Sequence, residues 1–368
     1  MIIRRCKGCG AILQTEDEDK QGFINEIKDN SNYCKRCFRL MHYNELPKIV
    51  ASNKDYEIVI DDAVKQNGLM VFIVDVFAFK ATFNPKMIEK LRNKNVILVV
   101  NKYDLFPKST NIDGIVSWIS KQCENIHFKV DAISVVSSSK GYYIDELMNL
   151  IDLLRRGRDV YFVGCANVGK SSLINALLKR NTSITKDVIS TSVIPGTTLN
   201  KITIPFFEDG KTFIDTPGLI NEHDILNNLM PTSYNKIIPN KELRPKTYQI
   251  TKGNTILIAG LARIDFIECD KISVILYTSD DLYIQRSKTE NVERVLNNEL
   301  GKLLNPPTEG EKDKIKYKTE EFKLNQFEKT NIWFSGFGFI SIIGKAKLDV
   351  TTISGTEVFE TDGIIRKM

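Results

Sequence analysis

The residues best equipped for chemistry stand in a few short runs. Gly164-Cys165-Ala166-Asn167-Val168-Gly169-Lys170-Ser171 has the spacing G-x4-G-K-[ST] of a phosphate-binding loop. Glycines let such a loop curl until several N–H groups point at phosphate oxygens, and the helix that follows adds the positive end of its dipole. In this pattern Asn167, Val168, Gly169, Lys170, Ser171 and Ser172 line the phosphates, Lys170 reaches the β and γ groups, and the Ser171 hydroxyl ligates Mg2+. Asp215-Thr216-Pro217-Gly218 supplies the partner chemistry: Asp215 is placed to hold Mg2+ through water, and the Gly218 N–H to meet the γ-phosphate. Between them, Pro195-Gly196-Thr197-Thr198 offers a hydroxyl that can close over Mg2+ and the γ-phosphate, and by analogy with G-x-T patterns we expect Thr198 in that role. Lys170, Thr198 and Gly218 are therefore the expected catalytic contacts.

A second set of residues reads a base. Asn101-Lys102-Tyr103-Asp104 has the N-K-x-D pattern of guanine recognition. A carboxylate at Asp104 can accept from both N1–H and the exocyclic amine of guanine, whereas adenine offers no such donor pair and would leave buried groups unpaired. The Lys102 stem would cover the base plane, and Asn101 would tie neighbouring loops together. Ser137-Ser138-Ser139-Lys140-Gly141 matches the looser S-A-K loop that contacts guanine O6 through a backbone N–H, with Ser138 in place of the usual Ala. In an ordinary GTPase the phosphate loop comes first and N-K-x-D comes late. Here the order is base motif, Ser loop, phosphate loop, Thr loop, D-x-x-G. This predicts a circular permutant, with the old termini joined near Gly157 and new ones opened after D-x-x-G, which a compact domain tolerates because its termini often lie close together.

Two further pairs, Cys6-x-x-Cys9 and Cys34-x-x-Cys37, are separated by 24 residues. Such knuckles fit a closed tetrahedral Zn2+ site with four thiolate ligands, an iron site or a redox pair being the alternative. Seven cysteines, an odd number, argue against a disulfide framework. Cys123, Cys165 and Cys269 are expected to be small buried hydrophobes. Arg4, Arg5, Lys7, Lys35, Arg36 and Arg39 surround the pairs, as a phosphate-binding face or as solvated surface.

The elements that must hold these residues are legible from hydrophobic pattern. Leu69–Asp75 and Val96–Val100 read as buried parallel strands, with Phe128–Val135 and Asp159–Val163 as a third and fourth. Ile202–Phe206 and Lys211–Asp215 read as a hairpin around Glu208-Asp209-Gly210. Pro85–Asn93, Ile112–Glu124, Ile144–Arg156 and Ser171–Lys179 have helical spacing. Most motifs fall at strand ends, where open α/β sheets bind ligands. We expect an α/β fold of three parts: a four-cysteine zinc finger over 1–45, a circularly permuted P-loop GTPase domain over 46–225, and a β-rich (α+β) domain over 226–368. In the last part Thr255–Ala259, Ile272–Thr278 and Phe339–Gly344 read as strands, Asn305–Lys312 as an exposed loop, and Trp333–Phe339 as core or as a base-stacking run.

Composition sets bounds. Hydrophobic residues are 42% of 368, enough for a sizeable core, which excludes a mostly disordered chain. The longest apolar runs are too short to span a bilayer, and the start of the sequence leaves no room for a signal peptide, so a cytoplasmic location is expected. A net charge of +5 allows a polyanionic partner without requiring one.

These motifs in this order, with the cysteine pairs, His42-Tyr43-Asn44 and Gly260-Leu261-Ala262-Arg263-Ile264-Asp265, resemble the YqeH-like circularly permuted GTPases over essentially the whole chain. The resemblance implies a GTP-hydrolysing switch that assists small (30S) ribosomal subunit assembly. The implied partner is a subunit precursor or its 16S-type rRNA, with no DNA partner and no membrane span. It also implies a C-terminal contact module for RNA or ribosome, and K+ bound by Asn167 beside the phosphates; Asn167 as a mere brace of the loop is the alternative. Leu219 stands where Ras-type enzymes carry a water-orienting Gln, so slow intrinsic hydrolysis, stimulated by K+, is expected. One departure is Asp75-Val76-Phe77-Ala78-Phe79-Lys80-Ala81-Thr82, where relatives tend to carry a second Asp and N-G-S. Two other readings stand beside this one: a zinc-stabilised RNA-binding module that uses GTP as a sensor, and a GTP switch acting on a protein partner.

Overall fold

The computed structural model describes residues 4, 6, 12–16, 22–27, 33–35, 53–180, 194–195, 201–325 and 329–364. The chain divides into two compact units. The first gathers the described residues up to Val76, Thr82–Tyr103 and Ile119–Ile220; the second takes Phe77–Ala81, Asp104–Trp118 and the chain from Asn221 onward.

The first unit is built on a seven-stranded sheet. Its strands are β1 (Leu69–Asp75), β2 (Val96–Asn101), β3 (Ala132–Val135), β4 (Val160–Gly164), β5 (Ile194–Pro195), β6 (Ile202–Pro205) and β7 (Thr212–Asp215). The spatial order is β3-β2-β1-β4-β7-β6-β5, parallel from β3 to β7, with β6 and β5 antiparallel. Every residue of β1, β2 and β4 is buried, because these strands are covered on both faces; continuous apolar runs such as Leu69-Met70-Val71-Phe72-Ile73-Val74 are what that position requires. The helices are α1 (Asn53–Lys65), α2 (Pro85–Leu91), α3 (Ile112–Asn125), whose residues up to Trp118 belong to the second unit, α4 (Ile144–Arg155) and α5 (Lys170–Arg180). α1 adds to the expected set. Its buried Tyr56, Val59, Ile60 and Ala63 recur at helical spacing, so one stripe packs inward. α2 begins on Pro85 behind Asn84, whose side chain accepts from the Lys86 N–H at 2.9 Å.

Register sets the site. Asp75 pairs with Asn101, Ile73 with Gly164, and Phe162 with Asp215. The carboxyl ends of β1, β2, β4 and β7 therefore lie in one row and carry Asp75, Asn101, Gly164 and Asp215. β3 is shorter than its pattern predicts, starting at Ala132 rather than Phe128. Phe128 turns inward and packs edge-on to Phe72 and Phe83, at 6.3 and 6.1 Å between ring centroids, so burial of an aromatic replaces a strand pairing.

The second unit carries two five-stranded antiparallel sheets. Its strands are β8 (Lys246–Ile250), β9 (Asn254–Ile258), β10 (Ala262–Cys269), β11 (Ile272–Tyr277), β12 (Ile284–Lys288), β13 (Tyr317–Leu324), β14 (Lys329–Phe334), β15 (Gly338–Ile343), β16 (Ala346–Ile353) and β17 (Val358–Asp362). One sheet runs β12-β9-β10-β16-β13, the other β17-β14-β15-β11-β8. Alternating residues of both, among them Ile256, Ile264, Val274, Ile332, Ile340 and Leu348, form one continuous core. Two helices, α6 (Pro231–Ile237) and α7 (Val292–Glu299), complete it. Trp333, Phe334, Phe337 and Phe339 are all buried, so this run is core and presents no stacking face. The Asn305–Lys312 stretch is exposed only at Glu309 and Gly310: Pro306, Pro307 and Glu311 are buried, and Glu311 is tied by hydrogen bonds to Thr308, Met230 and Ser233.

Candidate nucleotide site

The phosphate loop leaves β4 at Gly164 and enters α5 at Lys170. Gly169 holds a left-handed φ of +93°, and a Cβ there would collide with the Asn101 side chain. Gly218 is equally constrained: a Cβ would lie 2.8 Å from both Ala166 N and Lys170 Nζ. The left-handed φ at Gly169 and the close approach of the Ala166 backbone at Gly218 both disfavour a side chain. The D-x-x-G segment is strapped to the loop, since Ala166 N donates to Leu219 O at 2.8 Å and Leu219 N to Gly164 O at 3.2 Å.

Asn101 is fully buried at the end of β2 and joins two of the predicted loops. Its Nδ2 donates to Val168 O at 2.9 Å and to Ser138 Oγ at 3.1 Å, and its Oδ1 accepts from Ser138 N at 3.0 Å. Ser137 is buried too; its Oγ accepts from Lys140 N at 3.0 Å and bonds Ser139 Oγ at 3.1 Å, which shapes the Ser loop. A cleft of about 540 Å3 opens between that loop and α5, lined by Ser138, Ser139, Lys140, Ser172, Lys179 and Arg180 among others. Three cations around it favour a polyanion.

Lys170 arches back over the loop, its Nζ donating to Gly164 O at 3.2 Å and Cys165 O at 2.9 Å. Burial pushes its ammonium below the usual lysine range, and the Asp215 carboxylate opposes that shift. Ser171 Oγ donates to Asp215 Oδ2 at 3.1 Å, and Asp215 is wholly buried. A hydroxyl and a carboxylate brought together beside a phosphate loop are hard oxygen donors, the set Mg2+ takes. Asn167 is exposed in left-handed backbone, φ +63°, and no hydrogen bond holds its side chain among the described residues. Asp104 is half-buried in a 3-10 turn, Tyr103–Leu105, that follows Lys102. Thr198 lies outside the described residues.

One contact was not predicted from the sequence. Lys102 Nζ sits 2.5 Å from Asp75 Oδ2. The available signal was an acid ending a buried strand one register position before the base-motif lysine. At the N-terminus Cys6 and Cys34 are buried side by side, with Cys34 N donating to Cys6 Sγ at 3.2 Å; Cys9 and Cys37 lie outside the described residues. An amide aimed at sulfur favours thiolate character, which suits a metal knuckle. Cys123 and Cys165 are buried and Cys269 partly so, as small hydrophobes.

A central phosphate-loop strand, the base motif on β2 and D-x-x-G on β7, in rotated chain order, define a circularly permuted GTPase. Residues 35–225 match the family model of the RsgA GTPase, 159–296 that of a 50S ribosome-binding GTPase, and 271–361 that of the YqeH-like C-terminal region. The chain is 34% identical over 339 residues to YqeH of Bacillus subtilis, covering 92% of each. It is 29% identical over 391 residues to NO-associated protein 1 of Arabidopsis thaliana, covering 92% of this chain and 69% of the other. The solved YjeQ of Thermotoga maritima aligns over 42% of this chain and 49% of its own, at 22% identity and a TM-score of 0.27. The chain belongs to the YqeH family of circularly permuted GTPases. GTP and Mg2+ follow from that membership, and no helix among the described residues is long and apolar enough to cross a membrane.

Proposed function

We propose that this protein is a slow GTP-hydrolysing switch for small ribosomal subunit assembly, whose nucleotide state governs binding to 16S-type rRNA. The Asn101 amide carries the nucleotide-binding part of this reading, because it ties the base motif to the phosphate loop and the Ser loop. Asp104 reads guanine beneath the Lys102 stem. The Ser138 and Ser139 loop meets its O6, and Val168, Gly169, Lys170, Ser171 and Ser172 hold the phosphates. Mg2+, which when bound offsets charge on the β and γ phosphates, is held by Ser171, Asp215 and Thr198. Cys6, Cys9, Cys34 and Cys37 hold a structural Zn2+.

Slow intrinsic turnover is supported by Leu219. The residue is 5% exposed, its backbone is bridged to Cys165, and its apolar side chain cannot orient water. Asn167 takes K+, which supplies positive charge as an arginine finger does elsewhere. Leu219 belongs to the first unit and Asn221 begins the longest segment of the second, so γ-phosphate ordering of D-x-x-G has a short covalent path to the β-rich part.

The test is GTP turnover in K+ and in Na+ salts, alone and with small- or large-subunit precursors, since one matched family is named for 50S binding. Low basal turnover, faster in K+ and faster again with the small-subunit precursor alone, is expected. No stimulation by either precursor would leave a sensor of GTP, and equal rates in the two salts would remove K+.

A further inference from the structure

We propose that Asp75 is a positioning residue for guanine binding: it stretches Lys102 across the base site before nucleotide arrives. The inference rests on the reading of Asn101-Lys102-Tyr103-Asp104 as the base motif. Register starts the argument. β1 and β2 run parallel with Asp75 opposite Asn101, and Val76 N donates to Asn101 O at 3.1 Å, so the two strand ends are locked together. Lys102 is the next residue, and its left-handed φ of +67° turns it out of the strand direction. Tyr103 N, bonded to Val136 O at 3.1 Å, fixes the far side of that turn. The lysine backbone is thus held from both sides, and its side chain meets the buried Asp75 carboxylate at 2.5 Å.

The backbone of Asp75 is itself anchored. Asp75 N donates to Thr82 Oγ1 at 3.0 Å, and Thr82 O accepts from Cys165 Sγ, in the phosphate loop, at 3.6 Å. A lysine is among the side chains with most rotamer freedom, so a cover made from its stem is useful only if something removes that freedom beforehand. A charge-assisted bond to a nearly buried carboxylate does so.

The experiment is a double-mutant cycle with Asp75→Asn, Lys102→Met and the pair, on the full chain. It reads affinity for fluorescent GTP and GDP, dissociation rate, and displacement by inorganic triphosphate, which has no base. Asp75→Asn should weaken GTP and GDP alike by about tenfold, which is ~1.4 kcal/mol, through faster dissociation. Displacement by inorganic triphosphate should be unchanged, Asp75→Glu should recover part of the loss, and in the Lys102→Met background Asp75→Asn should add less than about twofold. An equal loss in that background, or weaker triphosphate binding, would overturn the proposal, as would Lys102→Met leaving GTP affinity intact. That last variant keeps the test decisive even if Asp75→Asn fails to fold. Asp104→Asn is the control for the underlying reading: it should exchange GTP preference for xanthosine triphosphate. If it does not, the base motif itself is misassigned; if it does and the cycle is additive, only the role of Asp75 falls.

Discussion

A single amide does most of the joining at the nucleotide site. Asn101 makes its three bonds to Val168 and Ser138 with no exposure to water. Removing it would strand a carbonyl and an N–H inside the protein, each costing about 1–3 kcal/mol. We expect Asn101→Ala to lose roughly 2–4 kcal/mol in chemical denaturation, and to lose GTP affinity as the phosphate loop and the Ser loop relax independently. A variant as stable as wild type would mean the bonds are dispensable. Lys170 illustrates the same economy with charge. Its ammonium is already withdrawn from water and held by loop carbonyls, so a phosphate bound there would meet a cation whose desolvation the fold has already met.

At the scale of elements, α6 is a short helix that depends on a distant side chain. Met230 is its N-cap and offers no side-chain bond of its own. Glu311 supplies the acceptor instead, taking Met230 N at 2.5 Å and Ser233 Oγ at 3.1 Å while also accepting from Thr308 N and Oγ1. Burial pushes the Glu311 carboxyl up, but these donors outweigh it and hold it below its ordinary value of 4.5. A depressed folded pKa means stabilisation that is present above the unfolded value and lost as pH falls through the folded one. Glu311→Gln should therefore cost about 1–3 kcal/mol near neutrality. The gap between variant and wild type should shrink as pH drops below about 4.5. Thermal melts of both proteins across that range check it, and a pH-independent gap would refute the role of the charge.

At the scale of the whole molecule, the rotated motif order puts the D-x-x-G segment directly before Asn221, where the longest segment of the second unit begins. The N-terminal block is too small for a core of its own: Cys6, Cys34 and Leu13 are its buried hydrophobic residues among those described. A metal would supply the missing stability. Metal analysis of the full chain should find one zinc per molecule, lost on Cys6→Ser or Cys34→Ser. Those variants should make the first 45 residues sensitive to protease while GTP turnover persists. Iron, or no metal, would refute the assignment.

The motifs and most strands were legible because they are local. A phosphate loop needs its glycines and lysine at fixed spacing, and a two-face-buried strand such as Leu69–Asp75 needs an unbroken apolar run, so both leave marks in consecutive residues. The rotated order of motifs was equally visible, being a property of the chain. Other features required tertiary structure. Phe128 leaves the strand pattern for an aromatic cluster, and Trp333 to Phe339 is core rather than a stacking face. Asp75 finds Lys102 only because parallel register sets two strand ends abreast. Trp118 belongs to the second unit, its Nε1 donating to Asp362 O at 3.0 Å across 244 residues of sequence. Side-chain partners that far apart leave no periodicity to read; they are chosen by which apolar surfaces close on each other once the sheets have formed.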